Sequence, residues 1–232
     1  MATPLAQLLR PQTLDAYVGQ THLLGKGKPI HNMISSGNVS SMILWGPPGC
    51  GKTTLAQLIA KSTGKRFVAF SAVTNTVSDV KKTIADADMM KTMYQQETIL
   101  FIDEIHRFNK AQQDALLSAV ELGTVIFIGA TTENPGFEVN APLISRSKVY
   151  ILYPLSSEEM QQIVTQAIHA YPKQKWMKDA TEYIIAYANG DARKAIHAIE
   201  LTALISKKIS AAIVQDVLQH KSIIYDRAGD SH

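Results

Sequence analysis

One loop constrains this chain more than any other feature: Gly46-Pro47-Pro48-Gly49-Cys50-Gly51-Lys52-Thr53. Its glycines let the backbone curl until successive amide hydrogens point inward, which makes an anion nest at a helix N-terminus. Lys52 adds a point charge where the β- and γ-phosphates would lie, and the Thr53 hydroxyl can ligate Mg²⁺. Pro47, Pro48 and Cys50 contribute backbone, and Thr54 follows on the first turn of the helix. Such a loop works only between a buried strand and a helix. The apolar run Ser41–Trp45 precedes it, and a helical stretch leads from Lys52 towards Lys61 and stops at Gly64. The expectation is MgATP bound through Gly46–Thr53.

Further apolar runs follow at a regular beat: Phe67–Ser71, Thr98–Ile102, Thr124–Ala130 and Lys148–Leu152. Between them, Val77, Val80, Ile84, Ala87, Met90 and Tyr94 step at three- and four-residue intervals, as one face of a helix does, and a second helix is predicted from Lys110 to Leu122. Near-continuous apolar strands alternating with amphipathic helices predict an α/β unit with a five-stranded parallel sheet buried on both faces. It spans residues 1–154, of which 1–40 read as irregular structure with short helical pieces. After Pro154 the pattern becomes wholly helical and predicts a small all-helical lid domain over 155–221. Ser156 and Glu159 form a capping box, Asp179 and Asp191 read as caps of two further helices, and Ser210 opens a fourth.

Asp103-Glu104 closes the third apolar strand. A carboxylate at Asp103 would lie beside the loop and hold the metal or its water shell, and Glu104 is placed to orient and deprotonate an attacking water. An acidic strand end is also an ordinary surface feature, and the loop upstream decides between the two readings. His106, two residues on, is a candidate base, although a histidine at a helix start more often packs or hydrogen-bonds. Thr131-Thr132-Glu133-Asn134 follows the fourth strand, where a hydroxyl or amide could meet the γ-phosphate or its water. Arg146 and Arg193, taken alone, read as surface arginines.

A net charge of +3 over 232 residues is too small to indicate nucleic-acid binding by itself, but it leaves room for a local basic face. Cys50 is the single cysteine, which excludes an internal disulfide and a multi-cysteine zinc site and fits a reducing compartment. With no apolar run of spanning length and no signal-peptide pattern after Met1, a cytoplasmic location without membrane attachment is expected.

Taken together, the loop, Asp103-Glu104, the paired threonines, Ser145-Arg146 and Gly190-Asp191-Ala192-Arg193 resemble an AAA+ ATPase, in the branch with clamp loaders and the Holliday-junction branch-migration motor. Arg10-Pro11-Gln12-Thr13-Leu14-Asp15-Ala16-Tyr17-Val18-Gly19-Gln20 resembles the N-terminal box that lines the adenine pocket, which makes Tyr17 and Val18 candidate adenine contacts. Three longer strings, Ile43–Pro48, Asp103–Lys110 and Gly129–Pro135, are similar to the replication-associated recombination protein A family, whose eukaryotic relative is the Werner-helicase-interacting protein. By that resemblance Thr132 aligns with sensor 1, Arg146 with the arginine finger that reaches a neighbouring subunit's γ-phosphate, and Arg193 with sensor 2. The resemblance also implies DNA ends, gaps or stalled forks as targets, association with single-stranded-DNA-binding protein, and a homo-oligomer. Arg107 and Lys110 are candidate backbone contacts to DNA, although charged residues at such a position more often belong to a solvated helix end.

Cys50 departs from the Thr or Ser commoner at its position, but only its backbone serves the nest. Relatives of this kind continue past Tyr225–His232 into a helical oligomerisation domain, so 222–232 reads as the start of a truncated region. A clamp-loader subunit, a branch-migration subunit, a catalytically silent AAA+ scaffold and a DNA-binding module without turnover remain as alternatives. The first lacks its four-cysteine module here, the second its winged helix, and the third is at odds with intact Lys52 and Glu104.

Overall fold

The structure, a computed structural model, describes residues 3–71 and 76–219. Along the chain, α1 (Leu5–Leu8), α2 (Thr21–Leu24) and α3 (Pro29–Ser36) precede β1 (Met42–Trp45) and α4 (Lys52–Ser62). Then come β2 (Arg66–Ser71), α5 (Val77–Tyr94), β3 (Thr98–Asp103), a 3₁₀ turn (Ile105–Arg107), α6 (Lys110–Glu121) and β4 (Ile126–Thr131). The short helices α7 (Pro135–Glu138) and α8 (Ala141–Ser145) lead into β5 (Lys148–Ile151). Beyond it lie α9 (Ser157–His169), β6 (Lys175–Trp176), α10 (Lys178–Ala188), α11 (Ala192–Ala203), β7 (Lys208–Ile209) and a helix α12 over 211–219.

The chain divides into two compact units, one of them Pro11–Tyr153. Its five strands are all parallel, in the order β2-β3-β4-β1-β5. Successive side chains of a strand point to opposite faces, and here both faces are apolar. Met42, Leu44, Ile99, Phe101 and Ile128 pack with Leu55, Ala56 and Ile59 of α4. Ile43, Leu100, Ile102 and Phe127 pack on the other face with Val80 and Ala87 of α5 and Leu116 and Ala119 of α6. Full burial of one such Leu or Ile side chain contributes about 1.5–3 kcal/mol, so these two layers hold the sheet together.

Helix starts follow local chemistry. Thr76 and Asp79 form a capping box at α5, and Asn109 and Gln112 form another at α6, each pair satisfying backbone donors that a helix leaves free. The fourth strand begins two residues later than the apolar run Thr124–Ala130 predicts. The amides of Thr124 and Val125 are taken by the Ala119 carbonyl at 2.9 and 3.3 Å, which closes α6 and keeps both residues out of the ladder. At the other end this strand gains Thr131, and the third strand gains Asp103, which pairs in register with Ser71.

The second unit combines the residues up to Arg10 with those from Pro154 onward. This corrects the assignment of the whole 1–40 stretch to the nucleotide-binding unit. The physical reason is that Leu5 is buried among Val164, Ile184 and Ile199, and its amide donates to Glu200 Oε1 at 3.1 Å. Ser156 caps α9 by accepting from the Glu159 amide, and Asp191 caps α11 by accepting from the Lys194 amide at 3.0 Å. Asp179 does not cap α10, whose N-cap is Met177. It stands inside the first turn and accepts from the amides of Ala180 and Ala211, tying α10 to the start of α12. The helical reading also gains a parallel two-residue ladder, Lys175↔Lys208 and Trp176↔Ile209, too short to leave a periodic signal. The stretch 222–232 lies outside the described residues.

Candidate active site

β1 ends at Trp45 and the loop begins. The Gly46 amide donates to the Thr131 carbonyl at 3.2 Å, so the loop starts from the middle of the sheet. A Cβ at Gly46 would run into the Leu152 carbonyl. Gly49 (φ 68°) and Gly51 (φ 99°) take up the left-handed backbone that the curl requires and that side chains resist. Gly51 has no room for a Cβ because the Tyr17 hydroxyl occupies that space.

Lys52 opens α4, and only 7% of it is exposed. Its Nζ donates to the carbonyl oxygens of Gly46 at 2.7 Å and Pro47 at 2.9 Å. An ammonium carries three N–H groups, so one is left to meet an anion in the nest. The Thr53 hydroxyl donates to Asp103 Oδ2 at 3.5 Å, which joins the loop to the end of β3. Hydroxyl, carboxylate and phosphate oxygens are the hard donors that Mg²⁺ selects, and it usually takes only one or two from protein. The pair Thr53 and Asp103 fits that requirement. Among the described residues there is no cluster of three or more His, Cys, Asp or Glu side chains suited to hold a metal by themselves.

Glu104 has φ 56° and ψ 48°, a left-handed conformation costing about 1–2 kcal/mol for a residue with a Cβ. Strain of this kind persists where the surroundings over-determine it, and such places cluster at functional sites. The turn swings the carboxylate to 3.3 Å from His106 Nε2 and 4.0 Å from Arg107 Nε. The other ring nitrogen of His106, Nδ1, lies 2.9 Å from Thr131 Oγ1. Thr131 is fully buried at the end of β4, and its Oγ1 also contacts the Glu133 carbonyl and accepts from the Glu133 amide. Thr132, the sensor candidate, is half-buried in the bend just beyond β4.

The N-terminal box lies against the loop. The Tyr17 hydroxyl donates to the Cys50 carbonyl at 3.3 Å, and Lys61 of α4 anchors the box through the Gln12 carbonyl at 2.9 Å. Val18 is half-buried beside Tyr17, and Thr54 is half-buried in α4. Gln20, not among the residues expected to serve the site, is 4% exposed and has φ 57°. Its amide nitrogen donates to the carbonyls of Tyr153 (2.7 Å) and Cys50 (3.5 Å), and its Oε1 accepts from the Tyr153 amide at 3.0 Å. The available signal was Gly19-Gln20, a turn pair whose second member must bury a long amide. Periodicity cannot show which backbone groups that amide would find.

Arg146 is the C-cap of α8, with its Nη1 donating to the Pro142 carbonyl at 2.9 Å and Ser145 Oγ at 3.1 Å. Its Nη2 pairs with Glu121 at the end of α6 at 2.5 Å. Arg107 and Lys110 are exposed, with Arg107 near Glu104. Arg193 belongs to the helical unit, exposed on the first turn of α11. The loop, Asp103, Glu104, Thr131 and the Tyr17 box thus come together at the carboxyl ends of β1, β3 and β4. Arg146, at the C-cap of α8, contacts Glu121, Pro142 and Ser145 instead.

The AAA family, "ATPase family associated with various cellular activities", matches residues 42–155, and an "AAA C-terminal domain" matches 169–232. The chain is 43% identical over 98% of its length to replication-associated recombination protein A of Haemophilus influenzae, of which it covers 53%. It is 38% identical over 98% of its length to ATPase WRNIP1 of Dictyostelium discoideum, of which it covers 29%. The chain therefore spans about half the length of the bacterial relatives it matches. In three dimensions it resembles the RuvB Holliday junction branch migration motor of Thermotoga maritima, with TM-score 0.73 and 29% identity over 92% of this chain and 73% of that one. With the phosphate loop, the Thr53–Asp103 pair and the five-stranded sheet in place, the chain belongs to the AAA+ ATPase family of replication-associated recombination protein A.

Proposed function

We propose that this chain is the ATP-hydrolysing unit of a DNA-dependent, cytoplasmic AAA+ ATPase that maintains replication forks and acts in recombination and repair. The observation that carries the reading is the Thr53 hydroxyl at 3.5 Å from Asp103, with Glu104 held in a left-handed turn immediately beyond. Thr53 and Asp103 would hold Mg²⁺, which neutralises charge on the β- and γ-phosphate oxygens when bound. Lys52, fixed by two loop carbonyls, presents its remaining N–H to the phosphates. Glu104 takes the proton of the attacking water, and Thr132, one residue beyond β4, orients the γ-phosphate or that water. Tyr17 and Val18 border the adenine side of the loop.

Arg146 is proposed as the finger that reaches a neighbouring subunit's nucleotide, since it is exposed and its described partners are Glu121, Pro142 and Ser145 rather than the phosphate loop. Arg193 is proposed as the lid's contact to the phosphates. A cation on the first turn of a helix opposes the helix dipole, so its favourable partner is an anion. Homo-oligomer formation, association with single-stranded-DNA-binding protein and backbone contacts from Arg107 and Lys110 to DNA ends, gaps or forks complete the proposal. Among the described residues, no helix is long and apolar enough to cross a membrane.

The test is Glu104→Gln, with MgATP binding followed by a fluorescent nucleotide and phosphate release followed with and without forked DNA. Retained binding with lost hydrolysis supports the assignment, because an amide can hold the water but cannot take its proton. Undiminished phosphate release in Glu104→Gln would remove Glu104 from the catalytic role.

A further inference from the structure

His106 is the one ionisable side chain that touches both Glu104 and the turn carrying Thr132, among the described residues. Its Nε2 is 3.3 Å from Glu104 Oε2, and its Nδ1 is 2.9 Å from Thr131 Oγ1. The proton count across this contact is restrictive. A threonine hydroxyl has one proton and two lone pairs. One lone pair of Thr131 accepts the Glu133 amide at 3.0 Å. The proton then has two competing acceptors, the Glu133 carbonyl at 3.2 Å and an unprotonated His106 Nδ1.

If the hydroxyl donates to Glu133, Nδ1 must carry the proton, and a neutral ring then turns a bare Nε2 lone pair towards the Glu104 carboxylate. Two acceptors facing each other repel, so this arrangement holds Glu104 only when the ring takes a second proton. If the hydroxyl instead donates to Nδ1, Nε2 carries the ring proton and points it at Glu104, and the Glu133 carbonyl loses that partner. The orientation of Glu104 is therefore tied to which way the Thr131 hydroxyl turns, and that hydroxyl closes the turn 131–133.

We propose that His106 is a positioning residue, which orients the Glu104 carboxylate and couples it to the Thr131–Glu133 turn through the Thr131 hydroxyl. This rests on the reading of Glu104 as the base. The coupling deepens that reading by naming how the turn beyond β4 informs the base. A strained backbone at Glu104 fits this role, because it brings the carboxylate to His106 of the following 3₁₀ turn, whose ring is itself held by Thr131 of the neighbouring strand.

The experiment uses the 232-residue chain, with fluorescent MgATP binding and single-turnover ATP hydrolysis at enzyme excess for His106→Ala, His106→Gln, Thr131→Val, Thr131→Ser and Glu104→Gln. A catalytic group displaced by a fraction of an ångström to one ångström loses on the order of 10- to 100-fold in rate. Such a fall in the hydrolysis rate constant is expected for His106→Ala and Thr131→Val, with nucleotide affinity changed less than about threefold. His106→Gln, which keeps an N–H facing Glu104, and Thr131→Ser, which keeps the hydroxyl, are expected to recover most of the loss. The double variant His106→Ala/Thr131→Val should be no slower than the worse single one, because both break one chain of contacts.

A second readout needs no turnover. In ¹⁵N-histidine spectra, the His106 ring resonances, identified by their loss in His106→Gln, should shift in both Glu104→Gln and Thr131→Val. Ring resonances indifferent to both substitutions, or additive rate losses in the double variant, would overturn the coupling. If Glu104→Gln hydrolyses ATP normally, the proposed function falls. If Glu104→Gln is inactive while His106→Ala turns over normally, only the present inference falls.

Discussion

Replacing Gln20 by Ala tests whether the loop is held in place by a buried amide. The side chain makes two short hydrogen bonds to the Tyr153 backbone, at 2.7 and 3.0 Å, and a longer one to the Cys50 carbonyl at 3.5 Å. A net hydrogen bond contributes about 0.5–1.5 kcal/mol, and leaving a buried partner unmet costs about 1–3 kcal/mol more. Since these contacts are only part-buried, we expect Gln20→Ala to destabilise the chain by roughly 2–4 kcal/mol. Gln20 also sits at φ 57°, where glycine is preferred over a residue with a Cβ by about 1 kcal/mol. Gln20→Gly should therefore be less harmful than Gln20→Ala by about that amount, although it loses the same hydrogen bonds. Urea unfolding separates the two, provided the midpoint moves and the slope does not. MgATP affinity should weaken a fewfold in both variants, since the Cys50 carbonyl in the loop loses the Gln20 amide while its contact with the Tyr17 hydroxyl stays. A Gln20→Ala protein within about 0.5 kcal/mol of the parent would refute this reasoning, because surface substitutions behave that way.

Lys52→Ala removes two hydrogen bonds of a charged donor as well as the nest's one full positive charge, and hydrogen bonds to charged groups contribute about 1.5–3 kcal/mol each. MgATP affinity should fall at least tenfold by titration calorimetry, and an unchanged Kd would contradict the site. Mixing Arg146→Ala with Glu104→Gln subunits should restore part of the ATP turnover if Arg146 acts on a neighbour's site; no recovery at any ratio, with assembly verified by sedimentation, would make its contacts to Glu121 and Pro142 its whole role. Asp79 is held below the usual carboxylate range first by the Thr76 backbone N–H and then by the Thr76 hydroxyl, and Glu158 by the Ser156 hydroxyl. A depressed folded-state value stabilises only while the group is ionised, so this support is present above the unfolded value and is lost as pH falls through the folded one. Amide exchange in the first turns of α5 and α9 should therefore accelerate relative to the rest of the chain below about pH 4, and Thr76→Ala should blunt the effect in α5 alone.

Much of this was legible in the sequence because the loop imposes its own context. A run such as Ile43–Trp45 followed by Gly46–Thr53 admits one local fold, and the buried strands follow from apolar residues at every position of β1 and from Ile99 to Ile102 of β3. The proposed site residues Lys52, Thr53, Asp103 and Glu104 stand out in the sequence for the same reason. What was not readable depends on pairing across distance. Gln20 is an ordinary polar residue until its amide is seen spanning Cys50 and Tyr153. Asp179 has the sequence of a cap, but its carboxylate is claimed by Ala180 and by Ala211, far along the chain. Leu5 reads as part of an irregular leader because nothing near it in sequence is its partner, whereas its partners lie on α9, α10 and α11.

The strand order explains why the candidate site depends on β4. Loop and carboxylates come from β1 and β3, and β4 lies between those two strands. In the register, Trp45 pairs with Thr131 and Ile102 pairs with Gly129. Thr131 thus meets the loop through its carbonyl, which accepts the Gly46 amide, and meets Glu104 through its hydroxyl and His106. Gly129 permits the close approach behind it, since a Cβ there would fall 2.6 Å from the Phe127 ring and 3.4 Å from Ile105. A shift of the β4 end by half an ångström would therefore alter the phosphate cradle and the aim of Glu104 together, while the apolar layers on both faces of β3 and β4 keep the strands themselves fixed. The freedom left is that of the turn 131–133 and its hydroxyl rotor. A signal from bound nucleotide, DNA or a neighbouring subunit that reached Thr132 would have a short physical route to Glu104, the proposed base.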